Sequence, residues 1–124
     1  MQDSVISHCK KELPLEACGL LSGRNRVIQS FWPIRNVDKS PYSFSMALGE
    51  IERVFHSIER KNEVLMGIYH SHPTASAYPS SGDIAYNNYP ELAHVIISLM
   101  KNPPDIRAFS IQGTQVNPIA IQLM

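Results

Sequence analysis

The sequence predicts an α/β domain with a mixed, curved β-sheet flanked by helices. Three observations predict it. Helix-like and strand-like segments alternate in the order α-β-β-β-α-β-α-β-β-β. Two apolar runs, Val64 to Tyr69 and Ala93 to Leu99, read as buried strands. The 124 residues, 44% of them hydrophobic, are enough for one domain, 1–124, with a single core and leave no room for a second.

Taken in order, Asp3 or Ser4 can cap a first helix with Val5, Cys9 and Leu13 on one face. Lys10 and Lys11 suit its last turn, and Pro14 ends it. Ala17 to Leu21 and Arg26 to Trp32 read as strands, joined through Ser22-Gly23-Arg24-Asn25 as a hairpin. Pro33 to Pro41 is polar loop, and Tyr42 to Met46 reads as a short strand. Leu48, Ile51, Val54, Phe55 and Ile58 recur at helical spacing, opposed by Glu52, Arg53, Glu59 and Arg60, which describes a surface helix with a buried stripe. Val64 to Tyr69 leads into His70 and His72. Pro73, with no N–H for a ladder, turns the chain into the loop Thr74 to Pro79. Ser81 to Asn88 reads as a short helix followed by Pro90, Ala93 to Leu99 as a central strand, and Arg107 to Ile111 and Ile119 to Leu123 as closing strands. There is no internal repeat, low-complexity tract or linker.

The densest chemistry lies in Tyr69-His70-Ser71-His72-Pro73 and Pro79-Ser80-Ser81-Gly82-Asp83. Residues two apart on a strand face the same side, so His70 and His72 can share one ion, with Asp83 delivered as a third ligand. Two imidazoles and a carboxylate suit a borderline-soft divalent cation. Three protein ligands leave a fourth tetrahedral position for water, as in catalytic zinc. No fourth ligand is at hand: Cys9 and Cys18 lie upstream, and there is no CxxC pair. Each half also has a structural explanation. Histidines at a strand end are commonly just hydrogen-bonded, and Ser80 with Asp83 looks like a helix N-cap and its capping-box partner. The two readings are compatible, and the joint spacing favours the metal.

The run His70-Ser71-His72-Pro73, six residues, then Ser80-Ser81-Gly82-Asp83, resembles the His-x-His-Pro, six-residue spacer, Ser-x-x-Asp signature of the JAMM metalloproteases, or MPN+ domains. Upstream, Pro14 to Gly23 is similar to the family's first core strand, whose glutamate is the catalytic acid/base. The resemblance extends from about Leu13 to Leu99 and implies an MPN-like fold of the prokaryotic, minimal-domain branch. It implies Zn2+ on His70, His72 and Asp83, Glu16 as the acid/base for the attacking water, and Ser80 as a donor to the oxyanion. From the residues alone Glu16 reads as a solvated carboxylate at a strand edge. The resemblance is what gives it a role. Cys18, on the same side of the strand, reads as a small buried hydrophobe, and His8, His56 and His94 have no ligand spacing. No serine or cysteine has a base to match, so the attack falls to water, with Cys18 and Ser71 as decoys.

By the same resemblance the substrate is a ubiquitin-like or sulfur-carrier protein, cut after its C-terminal Gly-Gly at a peptide or isopeptide bond. Its tail would lie as an added strand along an edge, for which Tyr42 to Met46 is the candidate, with Thr74 to Pro79 as a wall. Two other classes compete: a non-hydrolytic binding or scaffold module of the MPN type, and a zinc hydrolase of small amides. Eleven basic residues balance eleven acidic ones, so no global field favours nucleic acid or an anionic membrane. Met1-Gln2-Asp3-Ser4 has no basic leader, and Val95 to Met100 is too short to span a bilayer, so the expected location is cytoplasmic. Two cysteines nine apart make no disulfide framework, which agrees with a reducing compartment. A homodimer is left open.

Overall fold

The computed structural model describes residues 1–124. The elements are α1 (Gln2–Lys11), β1 (Cys18–Arg24), β2 (Val27–Ile34), α2 (Leu48–Arg60), β3 (Val64–His72), α3 (Ser81–Ala85), β4 (Ala93–Ser98), β5 (Asp105–Gln112), β6 (Gln115–Ile119) and β7 (Gln122–Leu123). The strands form one sheet in the order β6-β5-β4-β3-β1-β2-β7. β3 with β4 and β2 with β7 run parallel, and the other pairs run antiparallel. β6 and β7 occupy opposite edges, yet only Ala120 and Ile121 separate them. Seven strands laid flat would put those edges about 29 Å apart. A three-residue step reaches about 10 Å. The sheet therefore curls until its edges approach one another.

α1 packs on one face of that curl. Its Val5 and Cys9 join Leu21, Ile28, Tyr69, Val95, Ile97 and Ala108, with Leu123 against the same cluster. The opposite face carries two smaller clusters. α2 lays Ile51 and Val54 over Leu20, Ile34, Ile68 and Leu92. α3 sets Ile84 beside Ala77, Ile96, Phe109 and Ile111. Gly19 has a steric reason to be glycine, because a Cβ there would lie 2.3 Å from the Trp32 carbonyl and 2.5 Å from the Tyr69 ring.

Several boundaries differ from the sequence expectation. α1 starts at Gln2 without a side-chain cap, so neither Asp3 nor Ser4 serves as one. The first hairpin turns at Asn25 and Arg26, both at positive φ, and β1 runs on through Arg24. Such two-residue turns match the strand twist. Tyr42 to Met46 is not a strand. Its main chain bonds to the side chain of Asn36 instead of to a ladder, with Ser45 N donating to Asn36 Oδ1 and Ser43 O accepting from Nδ2. It therefore offers no sheet edge. α3 ends at Ala85, and the predicted last strand is split: Ile119 closes β6, and only Gln122–Leu123 pairs, with β2. β6 tolerates Pro118 because it is an edge strand.

Candidate metal centre

His70 and His72 close β3, a central strand with β1 on one side and β4 on the other. His70 pairs with Cys18 of β1 and Ile96 of β4, and both rings lie on the face that carries α2 and α3. Pro73 ends the ladder. The loop that follows is fastened at several points. His72 Nδ1 lies 2.7 Å from the Ser76 carbonyl, Ser98 Oγ donates to the Ala75 carbonyl at 2.6 Å, and Tyr78 meets the Phe109 ring edge-on at 5.3 Å. Thus anchored, the chain enters α3 through a reciprocal cap. Ser80 Oγ accepts from Asp83 N at 3.1 Å, and Ser80 N donates to Asp83 Oδ2 at 2.9 Å. The cap that fixes the helix start also aims the carboxylate.

His70 Nε2, His72 Nε2 and Asp83 Oδ2 form a triangle with all three sides at 3.1 Å. A carbonyl can only accept, so the bond to Ser76 puts the His72 proton on Nδ1 and leaves the neutral ring a lone pair on Nε2. That lone pair points at another imidazole nitrogen and at a carboxylate oxygen. Ligands about 2.0 to 2.1 Å from a tetrahedral zinc stand about 3.3 Å from one another, close to the sides of this triangle. The donor set and its spacing therefore fit a zinc-sized cation. Both histidines are buried, and the Asp83 side chain is 12% exposed. Burial works against ionisation of Asp83, but the His70 and His72 rings beside it outweigh it and hold the carboxyl far below the usual range. For His72, burial disfavours the charged ring, while the contacts with Asp83 and Ser76 prevail and raise its pKa.

Glu16 lies just before β1 and is 3% exposed. β1 and β3 are antiparallel with Cys18 opposite His70, so the same register carried outward sets Ala17 against Ser71 and Glu16 against His72. Ala17 is bound to Ser71 twice, N to Oγ at 2.8 Å and O from the Ser71 N at 3.0 Å. Glu16 Oε1 is buried and has no hydrogen-bond partner. Such an atom is costly to hide unless it has work to do. Burial pushes the carboxyl up to about 8, with His72 pulling it partly back.

The remaining sequence candidates fall outside this group. Ser71 faces away from the triangle and is tied to Ala17. Cys18 donates to the Ile34 carbonyl, and burial pushes its thiol up to about 12. His8 is bonded to the Tyr69 hydroxyl, His56 lies exposed beside Glu59, and His94 is next to the Tyr89 carbonyl. Two residues escaped the sequence reading. Phe44 stacks on the His70 ring, with centroids 4.7 Å apart. Asn36, buried, bonds the carbonyl of Glu16. In the sequence, Asn36 reads as one more turn residue in a polar stretch.

A model of the family described as prokaryotic homologues of the JAB domain matches residues 1–112. The CysO-cysteine peptidase of Mycobacterium tuberculosis is 32% identical over 98 residues, covering 77% of this chain and 67% of that protein. A probable TtuB-protein conjugate cleaving protease of Thermus thermophilus is 37% identical over 79 residues, 63% of this chain and 53% of that protein. A Desulfitobacterium hafniense protein solved in solution shares the whole architecture. Its TM-score is 0.91 at 34% identity, over 99% of this chain and 88% of that one.

Proposed function

This chain belongs to the family of prokaryotic homologues of the JAB domain, and from that premise we propose that it is a zinc metallopeptidase acting on a ubiquitin-like or sulfur-carrier protein. The bond cut is the peptide or isopeptide bond that follows the carrier's C-terminal Gly-Gly. Two relatives support the substrate class by name, one for CysO-cysteine and one for a TtuB-protein conjugate. The observation that carries the reading is the triangle of His70 Nε2, His72 Nε2 and Asp83 Oδ2, with Glu16, its Oε1 buried and unpartnered, set against His72 by the register of β1 on β3.

His70, His72 and Asp83 would hold the cation. A zinc ion held there would supply a water of pKa about 7 and a Lewis acid for the scissile carbonyl. Glu16, its Oε1 buried without a hydrogen-bond partner, would in its carboxylate form accept a proton as water attacks and pass it to the departing amine. The water oxygen joins the carbonyl carbon, the C–N bond breaks, and one carboxylic acid and one amine result. Ser80 accepts from Asp83 N, which leaves its own O–H free to donate toward the developing oxyanion. The Ser76 carbonyl keeps His72 in the tautomer that can ligate.

The test uses a Gly-Gly-ending carrier protein extended by cysteine and a second one joined to a lysine side chain. Each is incubated with zinc-loaded protein and weighed by mass spectrometry. Loss of the extension from either substrate, stopped by a chelator and restored by zinc, is the expected result. Protein that carries one zinc per chain and leaves both substrates intact overturns the proposal; release of amine from small amides alone would then point to a hydrolase of small molecules, and binding without cleavage to a scaffold.

A further inference from the structure

Asn36 is 2% exposed and spends its carboxamide entirely on main chain. Its Nδ2 donates to the carbonyls of Ser43 at 2.9 Å, Glu16 at 3.0 Å and, more loosely, Ser40 at 3.4 Å. Its Oδ1 accepts from Asp38 N at 3.0 Å and Ser45 N at 3.2 Å. An amide offers two N–H groups and two lone pairs, so this side chain is used to capacity. Glu16 is gripped on both sides by the segment that Asn36 organises: its carbonyl takes the Asn36 bond, and its N–H donates to Ser40 O at 2.9 Å. The carboxyl of Glu16 has no comparable restraint at Oε1. Its place is therefore inherited from its backbone.

We infer that Asn36 is a positioning residue for Glu16, a side-chain hub that sets the backbone of the proton-carrying residue and so the reach of its carboxyl. The inference rests on the role proposed above for Glu16. Other side chains fit the hub badly. Aspartate keeps the acceptor half but has no N–H for three carbonyls, serine is too short to reach both flanks, and glutamine carries its amide one methylene too far. Asp38 pins the same segment through Ser43 Oγ at 3.0 Å and Ser45 Oγ at 2.7 Å without bonding Glu16. That contrast separates holding the loop from holding Glu16.

The experiment compares N36D with the S43A/S45A double variant, which removes the hydroxyls that Asp38 holds but spares every main-chain partner of Asn36. N36D is expected to lower kcat on the carrier fusion about 10- to 100-fold, the usual cost of misplacing a reacting group through its support. KM and zinc per chain should stay unchanged, and hydrogen exchange at the Glu16 amide should speed up. S43A/S45A should change kcat by less than about threefold, within what loosening a loop costs. Unchanged kcat and Glu16 exchange in N36D overturn the inference. So does an equal loss in both variants, shared between kcat and KM. Should N36D not fold, N36Q keeps the donors but displaces them, and the same two readouts decide. If the unaltered protein hydrolyses nothing, the functional reading fails, and exchange at the Glu16 amide still decides whether Asn36 holds it.

Discussion

Ser71 sits between the two histidines and is the residue most easily mistaken for a nucleophile. The structure gives it another task. It is fully buried, and its Oγ accepts from Ala17 N at 2.8 Å. S71A removes that acceptor and leaves the Ala17 N–H buried with no partner, since Ala17 itself is 1% exposed. A buried donor left unpaired costs about 1 to 3 kcal/mol. For a chain of this size each kcal/mol lowers Tm by about 4 °C, so the loss should be about 4 to 12 °C.

Thermal unfolding followed by circular dichroism, with and without chelator, measures this directly. The hydrolytic rate is then taken well below the lowered Tm. There S71A should keep its zinc and stay within about tenfold of the unaltered protein, because only the support next to Glu16 has been loosened. A nucleophile would behave in the opposite way, with the rate abolished and Tm untouched. Either half of that opposite result, a Tm within 1 °C or a zinc-loaded, folded variant with no activity, would refute the reasoning.

Three further outcomes are expected. E16Q should keep one zinc per chain while kcat falls about 10²- to 10⁴-fold, and a retained rate would falsify the role given to Glu16. H72A and D83A should each lose zinc by metal analysis, and D83A should also melt lower in chelator because Ser80 N loses its carboxylate partner, half of the capping box; full metal occupancy in both would remove them from the ligand set. In chelated protein, Glu16 has a folded pKa of about 8 against an ordinary 4.5, so folding favours its protonated form. That contribution is complete below 4.5 and disappears as pH rises through about 8. Urea midpoints should therefore show E16Q gaining on the unaltered protein between pH 5 and pH 8, and a constant difference would count against the shift.

What could be read from the sequence follows the range of the interactions. The grouping of His70, His72 and Asp83 was legible because a strand end, a proline and a helix cap bring the three together within fourteen residues. Of the stripe Leu48, Ile51, Val54, Phe55 and Ile58, local spacing gives Ile51, Val54 and Ile58 correctly, whereas Leu48 and Phe55 are exposed. Glu16 was not legible. Nothing in its neighbourhood distinguishes a buried carboxyl from a solvated one, and the register that sets it against His72 pairs β1 with a strand more than forty residues away. Tyr42 to Met46 reads as a strand in the sequence because its residue types suit one. A single amide, Asn36, takes up its backbone groups instead, a side-chain capture that residue types do not announce. β6 was hidden by Pro118 and by its sparse apolar pattern, which an edge strand tolerates.

The unread part and the read part meet in the register of β1 on β3. With Cys18 opposite His70, the acid carried two residues before β1 is brought to the ligand carried at the end of β3, on the same face. A slip of one residue would turn Glu16 toward the α1 face and leave the histidines where they are, because side chains alternate with a period of two. Sequence spacing can thus produce a ligand set, yet only the ladder can supply it with a base. Gly19, the one residue that fits under Tyr69, and Ser71, which binds Ala17 twice, both resist that slip, although neither reaches the metal-facing side. Their chemistry is inert. Their contribution to the site is the alignment without which Glu16 and His72 would not share it.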